Sequence, residues 1–187
     1  MGATQYYTAT TLDGYIADEH NSLEWLFEVD RDVEETGEQS FAGFFGQVGA
    51  MAMGATTYEW VVDHERLLDD PDKWRGMYGD TPCWVFTHHT LPSLADANIV
   101  FVEGDVAPVH EQMTAAAGDR NIWLVGGGEL VGQFADRQLL DEILVSVAPV
   151  TLGRGAPLLP RKLTAAQLEL VDVGRDRQFA RLTYRVR

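Results

Sequence analysis

Three consecutive glycines, Gly126, Gly127 and Gly128, stand where the stretch NIWLVGGGELVGQF changes its pattern. Before them, Ile122, Trp123, Leu124 and Val125 form a short β-branched and aromatic run suited to a buried strand. After them, Glu129, Leu130, Val131, Gln133 and Phe134 bring back apolar residues at helical spacing. A strand, a turn without side chains and a helix start bring unpaired amide N–H groups and the positive end of a helix dipole to one point. Such a point binds anions, and phosphate is the expected one. The usual dinucleotide fingerprint is absent, because its third glycine would fall at Val131 whereas the next glycine is Gly132. The Lys-Ser/Thr pair of a P-loop is absent as well. The alternative is a glycine turn that only packs a strand tightly against a helix.

A second junction of this kind lies upstream. Ala50-Met51-Ala52-Met53-Gly54 reads as a strand ending at glycine, and Thr56-Thr57-Tyr58-Glu59 opens a helix with hydroxyl residues suited to capping. Other chemistry finds less support. His20, His64, His88, His89 and His110 have no ligand spacing backed by cysteine or carboxylate, so no metal is expected. Ser22, Ser93 and Ser146 lack a nucleophile elbow. Cys83, the one cysteine, lies in the apolar run PCWVFT and reads as a buried, inert thiol. Tyr15, Trp25, Phe27 and Tyr58 read as core aromatics or as walls for a flat ligand.

The elements that must position these residues follow one another as alternating strands and helices. Strands are expected at Gln5–Thr10, Ala50–Gly54, Pro82–Thr87, Ile99–Val102 and Glu142–Val150. Phe41, Phe44, Phe45 and Val48 fall at helical spacing, and Asp105 with Pro108 starts a helix that Gly118 ends. Residues 63–80, acidic and broken by Pro71, read as a long surface loop. Leu168–Val173 and Phe179–Arg187 alternate and form a hairpin around GRDR. This order predicts an α/β fold with a mixed, mostly parallel sheet flanked by helices and finished by antiparallel C-terminal strands.

At 187 residues the chain is read as a single domain spanning 1–187. A net charge of −15 speaks against nucleic acid as a partner. Residues 151–187 carry eight basic against three acidic side chains, so the first 150 hold −20; a solvated strand face accounts for the asymmetry, a subunit contact being the other reading. No apolar run reaches the ~20 residues of a membrane span, so no membrane partner is expected. The N-terminus enters QYYTAT without the pattern of a secretory signal, and a cytoplasmic location is the expectation.

Four blocks together carry a family resemblance: TLDGYIA, MGATTYE, WLVGGGELVGQF and LLDEILVSVAPVTLGRGAPLLP. In this order, and over almost the whole chain, they resemble the dihydrofolate reductase-like superfamily. The nearest likeness is to the bacterial reductase domains of riboflavin biosynthesis, the RibD C-terminal type. The resemblance implies an NADPH-dependent oxidoreductase that passes a hydride to a planar heterocycle of pterin or ribosylaminopyrimidine type. By position, Ala9 and Ile16 would line the nicotinamide and substrate pocket. Gly54, Ala55, Thr56 and Thr57 would follow the adenosine side, with Thr57 near the pyrophosphate, and Thr87 and His88 would flank the 2′-phosphate. Val125, Gly126, Gly127, Gly128, Glu129 and Leu130 would hold the pyrophosphate and the nicotinamide ribose.

Trp25 and Tyr58 are assigned to the substrate, and Asp30, five residues after Trp25, to the proton that accompanies the hydride. Glu24 and Glu28 compete for that role. Reductases of dihydrofolate usually carry arginine where Ala55 stands, so only a modest preference for NADPH over NADH is expected. The resemblance, with the alternating C-terminal strands, also implies a homodimer. A non-catalytic module that keeps the nucleotide pocket is the rival reading.

Overall fold

In the computed structural model, which describes residues 2–29 and 41–187, the chain begins with β1 (Thr4–Thr11), β2 (Tyr15–Ala17), α1 (Glu24–Phe27) and α2 (Phe41–Phe45). It continues through β3 (Val48–Gly54), α3 (Ala55–His64), α4 (Asp72–Tyr78), β4 (Cys83–Phe86) and β5 (Ile99–Val102). Then come α5 (Val106–Ala117), β6 (Asn121–Gly126), α6 (Gly128–Asp136), β7 (Glu142–Ala148), β8 (Ala156–Pro157), β9 (Leu168–Asp176) and β10 (Phe179–Val186). Eight strands form one sheet in the order β5-β4-β3-β6-β1-β7-β10-β9, and β2 pairs with β8 apart from it. All strand pairs from β5 to β7 are parallel, while β10 runs antiparallel to both β7 and β9. The mixed, mostly parallel sheet with an antiparallel finish is thus the architecture expected from the element order.

Strand alternation splits the core into two layers. Ala50, Ala52, Tyr6, Ile122 and Leu124 face one side of the sheet, where α5 and α6 cover them. Met51, Met53, Cys83, Val85 and Trp123 face the other, under α3 and α4. Both faces being covered explains why the central strands are apolar throughout rather than alternating. On α5, the Asp105 carboxylate caps the N-terminus by accepting from the Ala107 amide at 3.0 Å, and Gly118 closes the C-terminus.

The structure departs from the sequence reading in four places. Residues 63–80 are not one loop, because α3 runs to His64 and α4 occupies Asp72–Tyr78. Trp74, Met77 and Tyr78 sit three and four residues apart and turn one face of α4 into the core, with Trp74 fully buried. Val48 opens β3 instead of extending the phenylalanine helix, which ends at Phe45. The loop after β1 contains the strand β2, held by β8. The hairpin turn is Arg177-Gln178, at the end of GRDR and one residue past it, because β9 runs on to Asp176. Asp30 and the acidic stretch after it lie outside the described residues.

Candidate functional site

The site starts where the sheet opens. β1 pairs with β6 from Thr4 to Tyr6, opposite Ile122 to Leu124, and among the described residues no further pair continues this ladder. Beyond that point β1 stays with β7 as far as Thr11, while β6 stays with β3 as far as Gly126. Tyr7 thereby loses a ladder partner for its carbonyl, and the Trp123 indole N–H donates to that oxygen at 3.1 Å instead. Into the opening falls a cavity of about 970 Å³ at the carboxyl ends of the strands, where ligands bind in open α/β sheets.

Both glycine junctions reach this cavity. Gly54 and Gly126 end neighbouring parallel strands, and α3 and α6 start directly after them. Gly126 has φ +136°, a conformation that side chains oppose, and the peptide bond to Gly127 is cis. A methyl group built on Gly54, Gly126 or Gly127 would meet nothing nearer than 3.8 Å. At these three positions the absence of a side chain is therefore not needed for internal packing; it leaves backbone open to the cavity. Gly128 differs, because a Cβ there would lie 2.4 Å from the carbonyl oxygens of Pro157 and Leu158. Its bareness lets the start of α6 pack under β8. A phosphate-bearing cofactor fits this strip, which combines close backbone approach with the N-termini of two helices.

Glu129 lines the cavity in the first turn of α6 and is held from behind. Arg161 donates to both Glu129 carboxylate oxygens, at 2.8 and 2.9 Å, and to Asp136 at 2.8 Å, so one guanidinium spans the two ends of the helix. Gly132 permits this, since its Cβ would lie 2.7 Å from the guanidinium carbon. The hydrogen bonds from Arg161 hold the Glu129 carboxyl below its ordinary range. Asp13 fixes the loop after β1: it accepts from Thr11 Oγ1 at 2.5 Å and from the amides of Gly153 and Leu152.

Most of the predicted residues meet here. Ala9, Ile16 and Val125 line the cavity, together with Gly54 to Thr57 and Gly126 to Leu130. Thr87 and His88 border a smaller depression of about 130 Å³ that shares Gly54 and Leu130 with the main cavity. Its other lining includes Glu103 and Gln133 but, among the described residues, no lysine or arginine. The Thr87 hydroxyl is engaged with His89, donating to its carbonyl at 2.8 Å.

Two substrate assignments need correction. Tyr58 is fully buried, packs edge-on against Trp74 and Phe101, and donates its hydroxyl to Pro92 O at 2.7 Å; burial pushes the phenol up to about 12. Trp25 points into a small cluster with Val29, Ala148 and Phe179 and is off the cavity lining. Among the described residues the aromatic walls are instead Tyr7, Phe41, Trp60, Tyr78, Trp123 and Phe179. Trp60 could have been found from helical spacing, since it lies three residues after Thr57 and so returns to the same face. Its ring stacks on His64 at 4.4 Å, and His64 stacks on Phe27 at 5.1 Å, which ties α1 to α3 at this end. Glu24 and Glu28, the competitors of Asp30, are exposed. Cys83 is buried, and desolvation drives its thiol far above the ordinary value. No helix among the described residues is long and apolar enough to cross a membrane.

Comparison with known proteins bears on the family and the fold. The profile of the RibD C-terminal domain matches residues 4–178. The uncharacterized protein YwjB of Bacillus subtilis (strain 168) is 32% identical over 181 residues, covering 97% of this chain and 96% of its own. The fold recurs in the crystal structure of the Shewanella sp. PV-4 chain named "Putative riboflavin biosynthesis protein", at TM-score 0.78 and 24% identity over 99% of both chains. It recurs again in the Thermotoga maritima diaminohydroxyphosphoribosylaminopyrimidine deaminase/5-amino-6-(5-phosphoribosylamino)uracil reductase, at TM-score 0.65 and 14% identity. There it covers all of this chain and 57% of the larger one.

Proposed function

Because the chain belongs to the RibD C-terminal domain family, we propose that it is an NADPH-dependent reductase of a flat heterocycle. The observation that supports this most is the opening between β1 and β6, which turns two bare strand-helix junctions toward one cavity. NADPH bound there would supply the hydride. Backbone amides from Gly126 to Leu130 would hold its pyrophosphate and nicotinamide ribose, with the Thr57 hydroxyl on the facing helix. Ala9 and Ile16 would set the position of the nicotinamide, and Thr87 and His88 would flank the adenosine 2′-phosphate. Arg161 keeps Glu129 ionised and fixed, so that α6 presents its amides in one orientation.

Hydride arrival on a C=N or C=C–N unit leaves negative charge on nitrogen, and a carboxyl that gives up a proton lowers that barrier by about 10²–10⁴-fold in rate. Asp30 takes this role in the proposal, being at the family distance from Trp25. Calorimetry with NADPH, followed by turnover of candidate heterocycles, tests the reading. Asp30→Asn should keep NADPH affinity and lose roughly 10²–10⁴-fold in turnover. Tight nucleotide binding with no hydride loss to any flat heterocycle would favour the non-catalytic module, and absence of nucleotide binding would remove the proposal.

A further inference from the structure

Trp60 and His64 stand one turn apart on α3, so their side chains meet on one face of the helix. The two rings are stacked, with centroids 4.4 Å apart and planes 15° from parallel. Phe27, at the end of α1, stacks on His64 in turn, at 5.1 Å and 2°. Trp60 and Phe27 are themselves parallel within 13°, with centroids 6.3 Å apart. Rings in contact lie about 3.5 Å apart, so seats on opposite faces of His64 would separate these two by about 7 Å or more. Their shorter separation places Trp60 and Phe27 side by side on one face of His64. Three aromatic planes from two helices are thus aligned, and Trp60 is the member of the three that lines the cavity. Thr57 and Val61 of the same helix line it too.

Resting on the reductase reading above, we infer that Trp60 is the stacking platform for the flat ring of the substrate and that His64 is the residue that positions it. His64 takes one face of the indole, so a ring entering the cavity stacks on the other. A tryptophan that must be frozen in place on binding gives back part of the stacking gain as lost rotamer freedom. Here the plane is set before a ligand arrives, by His64 against the indole and Phe27 beside it. The helix that carries it is fixed as well, because Tyr58 and Val62 of α3 are buried in the core. Trp60 also lies about 4.5 Å along the helix axis from Thr57, the hydroxyl proposed for the pyrophosphate, so platform and phosphate site are presented by one helix. Stacking depends on flatness and area more than on a hydrogen-bond pattern. Trp60 accordingly selects planar rings as a class, and the polar groups of the cavity choose among them.

The test saturates the full chain with NADP⁺, follows that uptake by calorimetry, and then titrates two flat heterocycles, pterin and lumichrome. Trp60→Leu should weaken both probes by roughly 5- to 150-fold, the range for losing one stack of a heteroaromatic base on an aromatic side chain. NADP⁺ affinity should stay within about threefold of the parent. Trp60→Phe should recover most of the loss. His64→Ala should weaken both probes by about 2- to 10-fold, the worth of one aromatic pair, and His64→Phe should restore them. The histidine variants keep the indole, so they carry the test if Trp60→Leu does not fold. Parent-like probe affinity in Trp60→Leu overturns the inference, as does a loss of NADP⁺ affinity equal to that of the probes. Probe affinity that His64→Ala leaves unchanged, or that His64→Phe fails to restore, overturns it too. Failure of both probes to bind the NADP⁺-loaded parent also overturns it, while leaving the nucleotide reading intact. Failure to take up NADP⁺ overturns the reductase reading and the inference with it.

Discussion

Replacing Gly127 with alanine separates the demands of the fold from those of the site. Gly127 has φ −74° and ψ 177°, extended values open to any residue. Its added methyl would meet only the Ile16 Cδ1 atom, at 3.8 Å, an ordinary contact. The folded state thus accepts alanine, and the reduced freedom of the unfolded chain should stabilise the variant by about 0.4–1 kcal/mol. The same methyl would project over the amides at the start of α6, where the pyrophosphate is proposed to approach. Losing one hydrogen bond to a charged group costs about 1.5–3 kcal/mol, which is roughly a 10- to 150-fold loss of NADPH affinity.

Gly128→Ala should behave in the opposite way. Its methyl would lie 2.4 Å from two carbonyl oxygens, so β8 or the helix must move, at a cost of about 1–3 kcal/mol in stability. Denaturant unfolding without nucleotide and calorimetry with NADPH measure the two quantities independently. If Gly127→Ala binds NADPH within about threefold of the parent, the proposed phosphate site is wrong.

Three further outcomes are expected. Hydrogen bonding from Thr11, and then from the Gly153 and Leu152 amides, holds the Asp13 carboxyl below its ordinary 3.8. A lowered folded-state value contributes stability above 3.8 and loses it as pH falls further, so the gap between the parent and Asp13→Asn should be constant from neutral pH down to 3.8 and close below it. A gap that persists in acid would show that Asp13 acts by packing alone. Ala55→Arg should raise the preference for NADPH over NADH by roughly tenfold or more, since the depression proposed for the 2′-phosphate has no permanent cation among the described residues; an unchanged ratio in calorimetry would place the 2′-phosphate elsewhere. The chain is proposed to be a homodimer through the edge strand β9, where Leu170, Val171 and Val173 are 50%, 40% and 63% exposed. Light scattering should give about twice 20.8 kDa for the parent and a monomer for Val173→Asp, and a monomeric parent would end the idea.

How far the site was legible depended on whether a signal was local. The triple glycine, the threonines that open α3 and the end of β6 are local signals and line the cavity, although the cap of α3 is Gly54 and no hydroxyl caps that helix as its sequence suggests. Helix α4 was missed because Pro71 and its acidic neighbours resemble a loop, whereas the buried Trp74 stabilises the helix through contacts distant in sequence. Proximity in sequence misled at Tyr58. One helical residue turns the side chain by about 100°, so the neighbour of cavity-facing Thr57 points into the core while Trp60 and Val61 return to the cavity.

The opening itself has no local signature. Tyr7 and Trp123 each look like ordinary strand residues, and whether they fill the core or wall a ligand depends on where two strands far apart in sequence stop pairing. That point is set by competition between ladders. β7 continues to satisfy β1 on one side up to Thr11, and β3 continues to satisfy β6 on the other up to Gly126, so the shared edge can part after Tyr6 with few backbone groups left unsatisfied. The Trp123 indole covers the carbonyl exposed by the parting, and in doing so holds its own ring as a wall of the cavity. Trp123→Phe would keep the aromatic packing but remove the hydrogen bond to the Tyr7 carbonyl, so it should destabilise the protein by about 0.5–1.5 kcal/mol. A variant as stable as the parent would show that the strands part for some other reason.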